Sequence, residues 1–171
     1  LKALGYEMGK SVIEEDRLDL VKSVLSEASD IGVNVVLPVD FVVARSFCER
    51  AEPTIAKFDE VSADDLIMDI GPSTIEEFEK SILGSKTVIW NGPMGVFEWA
   101  SFSKGTLAVA LAIAGLKSAT TVVGGGSTAE AVETFGVSDR MSHVSTGGGA
   151  SLEFMEGKEL PALAVLPDKE N

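Results

Sequence analysis

The sequence predicts an α/β protein: a three-layer, Rossmann-like open parallel sheet with helices on both faces. Three observations carry this. Short apolar runs alternate along the chain with longer stretches of helical period. The runs are continuous rather than alternating, as in strands covered on both faces. Glycine clusters follow several of the runs and lead directly into helix-start signals, the pattern of βα turns.

Each element has its own reason. Leu1-Lys2-Ala3-Leu4 reads as the last turn of a helix stopped by Gly5, so the chain is expected to be a fragment. Gly5-Tyr6-Glu7-Met8-Gly9-Lys10-Ser11 falls one residue short of a P-loop and lacks a strand before it. Glu14 to Ser29 is a helix. Leu18, Val21, Val24, Leu25 and Ala28 recur on one face, and Glu14, Glu15 and Asp16 sit in the first turn. Val33 to Leu37 is expected to be a buried strand, closed by Pro38. Asp40 to Cys48 is left open. Thr54 to Phe58 is a short peripheral strand, and Leu66 to Ile70 a second buried one, stopped by Gly71-Pro72.

Ser73-x-x-Glu76 has capping-box spacing and opens a helix to about Leu83. Lys86 to Trp90 is the third strand and runs into the turn-rich loop Asn91 to Glu98. Ser103 to Leu116 is an Ala-rich helix, and Ala119 to Val123 the fourth strand. Gly124-Gly125-Gly126 follows, then a second capping box, Ser127-x-x-Glu130, opening a helix to Phe135. The pattern repeats in small: strand Ser142 to Ser145, glycine run Thr146 to Gly149, helix Ala150 to Met155. Pro161 to Pro167 is expected to trail in extended form. Residues 1–160 are expected to form one domain and 161–171 a trailing segment.

In an open parallel sheet, ligands bind beyond the carboxyl ends of the strands. Four loops belong there on this reading: Asp69–Thr74, Asn91–Glu98, Gly124–Thr128 and Ser145–Gly149. A glycine turn at a helix N-terminus aims backbone N–H groups and the positive end of the dipole at one point, which suits a phosphate.

Composition narrows the classes. With 171 residues, 45% of them apolar, the chain is long enough for a real core. The longest apolar run, Leu107 to Ala114, is too short to span a bilayer, and no secretory signal is read at the start. The single cysteine, Cys48, excludes an internal disulfide and fits a reducing compartment. A net charge of −13 argues against nucleic acid. So acidic a chain holds phosphate only through local dipoles, a metal ion, or basic groups supplied from elsewhere.

Asn91-Gly92-Pro93-Met94-Gly95-Val96-Phe97-Glu98, with Phe102 and Gly105-Thr106 after it, closely resembles phosphoglycerate kinase. So does Ser142 through Glu153, with its Thr146-Gly147-Gly148-Gly149 centre, followed by Glu156-Gly157-Lys158 and Leu160-Pro161. Leu37-Pro38-Val39-Asp40 and Asp69-Ile70-Gly71-Pro72 also match. The resemblance runs the length of the chain, but only against the nucleotide-binding C-terminal domain. It lacks the family's basic N-terminal domain and the Gly-Ala-Lys segment whose lysines reach the phosphates.

The resemblance implies roles. Glu98 would bind the ATP ribose hydroxyls, Asn91 would be a polar nucleotide contact, and Ile67, Met68 and Val96 would lie near adenine. Gly124, Gly125, Gly126, Ser127 and Thr128 would form the phosphate loop. The N–H groups of Gly125, Gly126, Gly147 and Gly148 would stabilise the transferring phosphoryl group. His143 is read as structural. At position 127 the family usually has an Asp that ligates Mg²⁺; Ser127 supplies no carboxylate, which puts the metal arrangement in question.

The implied activity is phosphoryl transfer between 1,3-bisphosphoglycerate and ADP in glycolysis. The implied substrates are small molecules (ADP/ATP, and phosphoglycerate through the missing domain), with Mg²⁺, in a cytoplasmic and monomeric enzyme that meets neither nucleic acid nor membrane. This chain alone is expected to be inactive. The residues leave open a non-catalytic doubly wound nucleotide-binding domain.

Overall fold

The computed structural model describes residues 1–165. The chain divides into two compact units, Leu1–Gly84 with Met94–Ala112, and Ser85–Pro93 with Ile113 onward.

In the first unit, runs rich in Val, Ile and Phe make three strands: β1 (Asp40–Ala44), β2 (Thr54–Lys57) and β3 (Leu66–Ile70). They lie in the order β2-β1-β3, and both neighbours run antiparallel to β1. Parallel pairing was the expectation here. Runs buried on both faces carry no mark of strand direction, so composition does not separate the two arrangements. Val42 pairs with Asp69 and Val43 with Ile67, so the register skips Met68 and β3 is bulged there. Phe41, Val43 and Ala56 pack with Met8 and Val61, while Ala44 and Met68 pack with Ala51 and Phe102.

The helices of this unit are α1 (Leu18–Asp30), α2 (Pro72–Ile82) and α3 (Lys104–Ala114), which leads out of it. Two expectations fail here. Residues 33–38 form no strand, and Val33 and Val35 are exposed. A strand needs a pairing neighbour as well as apolar residues, and among the described residues none pairs with this run. Ser73 does not cap α2. Gly71 is the N-cap, Pro72 takes the first helical position, and no side chain in the cap position bonds back.

The second unit has the expected parallel α/β build. Its strands are β4 (Thr87–Asn91), β5 (Thr120–Gly124) and β6 (His143–Ser145), parallel throughout in the order β4-β5-β6. The register sets Asn91 beside Gly124 and Gly124 beside Ser145, one row at the carboxyl edge. The helices are α4 (Gly126–Thr134), α5 (Gly148–Met155) and α6 (Pro161–Ala164). Pro161–Ala164 is helical and Val165 a turn where an extended tail was expected; residues 166 and 167 of that tail lie outside the described residues. Proline suits a first helical turn, where its missing N–H costs nothing. Among the described residues no helix is long and apolar enough to cross a membrane.

Candidate functional site

In the second unit, both glycine runs leave the sheet from adjacent parallel strands and enter helices at once. Gly125 is the N-cap of α4, at φ 95°, a left-handed conformation that favours glycine. Ser127 therefore stands inside the first turn and not at the cap, and Glu130 lies beyond the capping position. The capping box expected there does not form; no side chain caps this helix. A cap needs a non-helical residue with a free side chain, and the glycine run lets the helix begin one residue before Ser127. Gly147 is the N-cap of α5, likewise without a side-chain cap.

The two turns touch backbone to backbone. A Cβ on Gly148 would lie 2.8 Å from Gly125 Cα. Asn91 Oδ1 sits among them, 3.0 Å from where a Cβ on Gly125 would be and 3.3 Å from those on Gly124 and Gly148. Ser145 ties the turns together: its carbonyl accepts the Gly125 N–H at 3.0 Å and its hydroxyl accepts the Gly147 N–H at 3.2 Å. The Gly148 N–H donates to the Thr146 carbonyl at 3.2 Å. So three of the four glycine N–H groups proposed for catalysis hold the turns in shape. The N–H groups of Gly126, Ser127 and Thr128, in the first turn of α4, have no intrahelical acceptor and point beyond the helix end. Gly126 and Ser127 are exposed, and a Cβ on Gly126 would meet nothing within 4 Å.

Thr128 is different. It is buried, and its hydroxyl accepts the Gly92 N–H at 2.7 Å. Trp90 Nε1 donates to the Gly92 carbonyl at 2.7 Å. Gly92 itself has φ 104°, so the bend after Asn91 is fixed from both sides. His143 is exposed at the start of β6.

In the first unit, Met94 to Phe102 forms a second loop of interest. Glu98 is exposed on it and Val96 half-buried. The Val96 N–H donates to the Met68 carbonyl at 2.9 Å, where the bulge skips that residue in the ladder. The Met94 and Gly95 N–H groups converge on the buried Thr106 hydroxyl at 3.1 and 3.3 Å. Phe97 and Phe102 are buried on either side of Glu98. Met68 is 2% exposed and belongs to the core, and Val96 packs against the same cluster; Ile67 packs against the cluster around Met8 and Phe41.

Of the three buried carboxylates in this unit, Asp40, Asp65 and Asp69, two bear on the loops and helix starts described here. Asp69 accepts the Gly105 N–H on Oδ2 at 2.8 Å and the Ile70 N–H on Oδ1 at 2.9 Å. Burial pushes its carboxyl up to about 6, although those two hydrogen bonds pull the other way. Asp40 accepts the Ser73 and Thr74 N–H groups at 3.0 and 2.8 Å and so caps α2 from outside it. Burial alone would raise this carboxyl, but the bonds from Thr74 and Ser73 outweigh it and hold it below the ordinary range. An acid inside an apolar strand run, as in Leu66-Ile67-Met68-Asp69-Ile70, was the available signal, because such a group needs partners.

The profile of the phosphoglycerate kinase family matches residues 1–158. Phosphoglycerate kinases of Dictyoglomus turgidum and Clostridioides difficile are 52% and 53% identical over 169 residues. That is 99% of this chain and 43% and 42% of those proteins, so the chain spans less than half the length of the curated relatives it matches. The solved phosphoglycerate kinase of Coxiella burnetii superposes with a TM-score of 0.90 at 44% identity, over 96% of this chain and 42% of that one.

Proposed function

The chain belongs to the phosphoglycerate kinase family, and from that premise we propose that it is the nucleotide-binding part of an enzyme moving a phosphoryl group between 1,3-bisphosphoglycerate and ADP. On this reading residues 1–160 are the nucleotide-binding domain. The enzyme is glycolytic, cytoplasmic and monomeric.

The observation that carries the reading is the pair of interlocked glycine turns opening two uncapped helices at the ends of adjacent parallel strands. Phosphoryl transfer asks a protein for positioning and for stabilisation of charge on the phosphoryl oxygens more than for covalent chemistry. The first-turn N–H groups of α4 supply fixed donors at the positive end of a dipole. Ser145 holds that geometry through the Gly125 and Gly147 N–H groups before any ligand arrives, so little reorganisation accompanies binding. Glu98 is assigned to the ribose: a carboxylate accepts both hydrogen bonds of a vicinal diol. Ile67, Met68 and Val96 are assigned to the adenine side, where Met68 supports Val96 through its carbonyl.

Among the described residues no group of three or more His, Cys, Asp or Glu is placed to hold a metal. The donors near the phosphate loop suit a Mg²⁺ ion that arrives on the nucleotide and keeps phosphate oxygens and waters as its main ligands, with the Ser127 hydroxyl beside it. When bound, such an ion would neutralise phosphate charge.

Calorimetric titration of ADP into the 171-residue chain tests the reading. Glu98→Gln should weaken binding by roughly 1–3 kcal/mol, the range for a hydrogen bond to a charged group. The loss should be much smaller for 2′,3′-dideoxy-ADP; equal losses would remove the ribose assignment. In a coupled assay the chain alone should show no turnover above background. Turnover of about 1–100 per second, as in ordinary kinases, would overturn the view that basic groups from elsewhere are required.

A further inference from the structure

We propose that Asp69 is a positioning residue for nucleoside recognition: its carboxylate fixes the loop that presents Val96 and Glu98. The inference rests on the nucleotide reading above and adds to it the residue that sets the loop.

The loop follows β4 in the chain and runs on into α3, and both of its ends lie against β3. Asp69 holds the end before α3 through the Gly105 N–H at 2.8 Å. At the other end the polypeptide passes so close that a Cβ on Gly95 would collide with Asp69 Oδ1 and lie 2.6 Å from the Met68 carbonyl. A Cβ on Gly105 would also fall on the Asp69 carboxylate. The two glycines therefore clasp one carboxylate from both ends of the loop. The neighbouring Thr106 hydroxyl accepts the Met94 and Gly95 N–H groups at 3.1 and 3.3 Å and closes the clasp.

Between these ends the chain has no freedom to drift. Val96 is tied to Met68, the Trp99 N–H to the Val96 carbonyl at 3.1 Å, and the Phe102 N–H to the Trp99 carbonyl at 2.8 Å. Glu98 is the exposed acid between the buried anchors Phe97 and Phe102. Asp69 is 1% exposed and touches no ligand itself; it acts through the loop. A carboxylate has two acceptor oxygens here, each used once. Asparagine has one acceptor oxygen and turns an NH₂ toward the other donor, so it cannot keep both bonds.

The test uses the full 171-residue chain and two probes, ADP and inorganic pyrophosphate. Asp69→Asn should weaken ADP roughly tenfold, the effect of one lost buried hydrogen bond, and leave pyrophosphate unchanged. Asp40→Asn is the control: another buried acid on the same sheet, one that caps α2. It should lower the melting temperature and leave both affinities as in the unmodified chain. The proposal is overturned if Asp69→Asn binds ADP normally, or loses ADP and pyrophosphate alike. If Asp69→Asn does not fold, Thr106→Val decides by the same outcomes, since it opens the clasp without stranding a charge. Glu98→Gln separates the two levels. If it weakens ADP and Asp69→Asn does not, the positioning role falls and the nucleotide reading stands. If the unmodified chain binds no ADP, or Glu98→Gln and Asp69→Asn both bind it normally, both fall.

Discussion

Thr74 donates both its backbone N–H and its hydroxyl to Asp40 Oδ1, at 2.8 and 2.7 Å, and accepts the Asp40 N–H on that hydroxyl at 3.0 Å. One residue in the first turn of α2 thus locks the start of β1, with the Val39 N–H as a second donor to its hydroxyl oxygen at 3.0 Å. Thr74→Val keeps the shape and strands two N–H groups. It should destabilise the chain by about 2–4 kcal/mol in urea unfolding. A double-mutant cycle with Asp40→Asn should give strong coupling, because the two residues share bonds.

The pH dependence of Asp40 has a definite sign. Its folded carboxyl lies below the ordinary value, so the stability it contributes is fully present above about pH 4 and is lost as pH falls further. The cost of Asp40→Asn should therefore be largest at neutral pH and shrink in acid. Unfolding both proteins in urea from pH 2.5 to pH 7 reads this directly; a constant difference would contradict it.

Asp69 has the opposite sign. Its folded carboxyl is near 6, above the ordinary value of about 4, so the folded state binds more protons than the unfolded one in between. Stability should fall as pH rises through that window, by roughly 3 kcal/mol for a shift of about two units, and level off above it. Asp69→Asn does not titrate. Its stability relative to the unmodified chain should thus improve between pH 4 and pH 7, measured by the same denaturation series.

The glycines should separate by function. Gly148→Ala drives a methyl into Gly125 and should cost about 1–3 kcal/mol while spreading the two turns. Gly126 has neither a positive φ nor any neighbour within 4 Å of a Cβ. Gly126→Ala should leave stability unchanged or raise it by about 0.4–1 kcal/mol, yet weaken pyrophosphate binding by crowding the helix end. Unchanged pyrophosphate affinity would mean that the ligand does not approach Gly126.

Ser127 in the first turn of α4 is a good place for a carboxylate, since anions there are favoured by the dipole. Ser127→Asp should fold normally and increase the preference for Mg·ADP over free ADP. Glu130→Gln should leave that preference nearly unchanged. ADP titrations with and without Mg²⁺ compare the three proteins; the reverse pattern would make Glu130 the metal contact.

Legibility followed the range of the interactions. Strand β5, its glycine turn and α4 were readable because one short segment holds the whole device. The capping boxes at Ser73 and Ser127 misled because caps are set by what is free to bond, not by spacing. For α2 the capping acid is Asp40, on another element. The run from Val33 shows the same limit: its apolar residues satisfy a strand's composition, but pairing is a property of a neighbour. The Met68 bulge and the Asp69 clasp had no local spacing signature, because each is defined by an approach of residues distant in sequence.

Each unit also holds one of the chain's two tryptophans. Trp90 is buried with its indole N–H on the Gly92 carbonyl. Trp99 follows Glu98 and lies against Phe47, with ring centroids 4.8 Å apart. The chain therefore carries a native fluorophore beside each candidate binding loop. Trp90→Phe and Trp99→Phe would each leave a single emitter, so the melting of one unit can be followed optically without signal from the other.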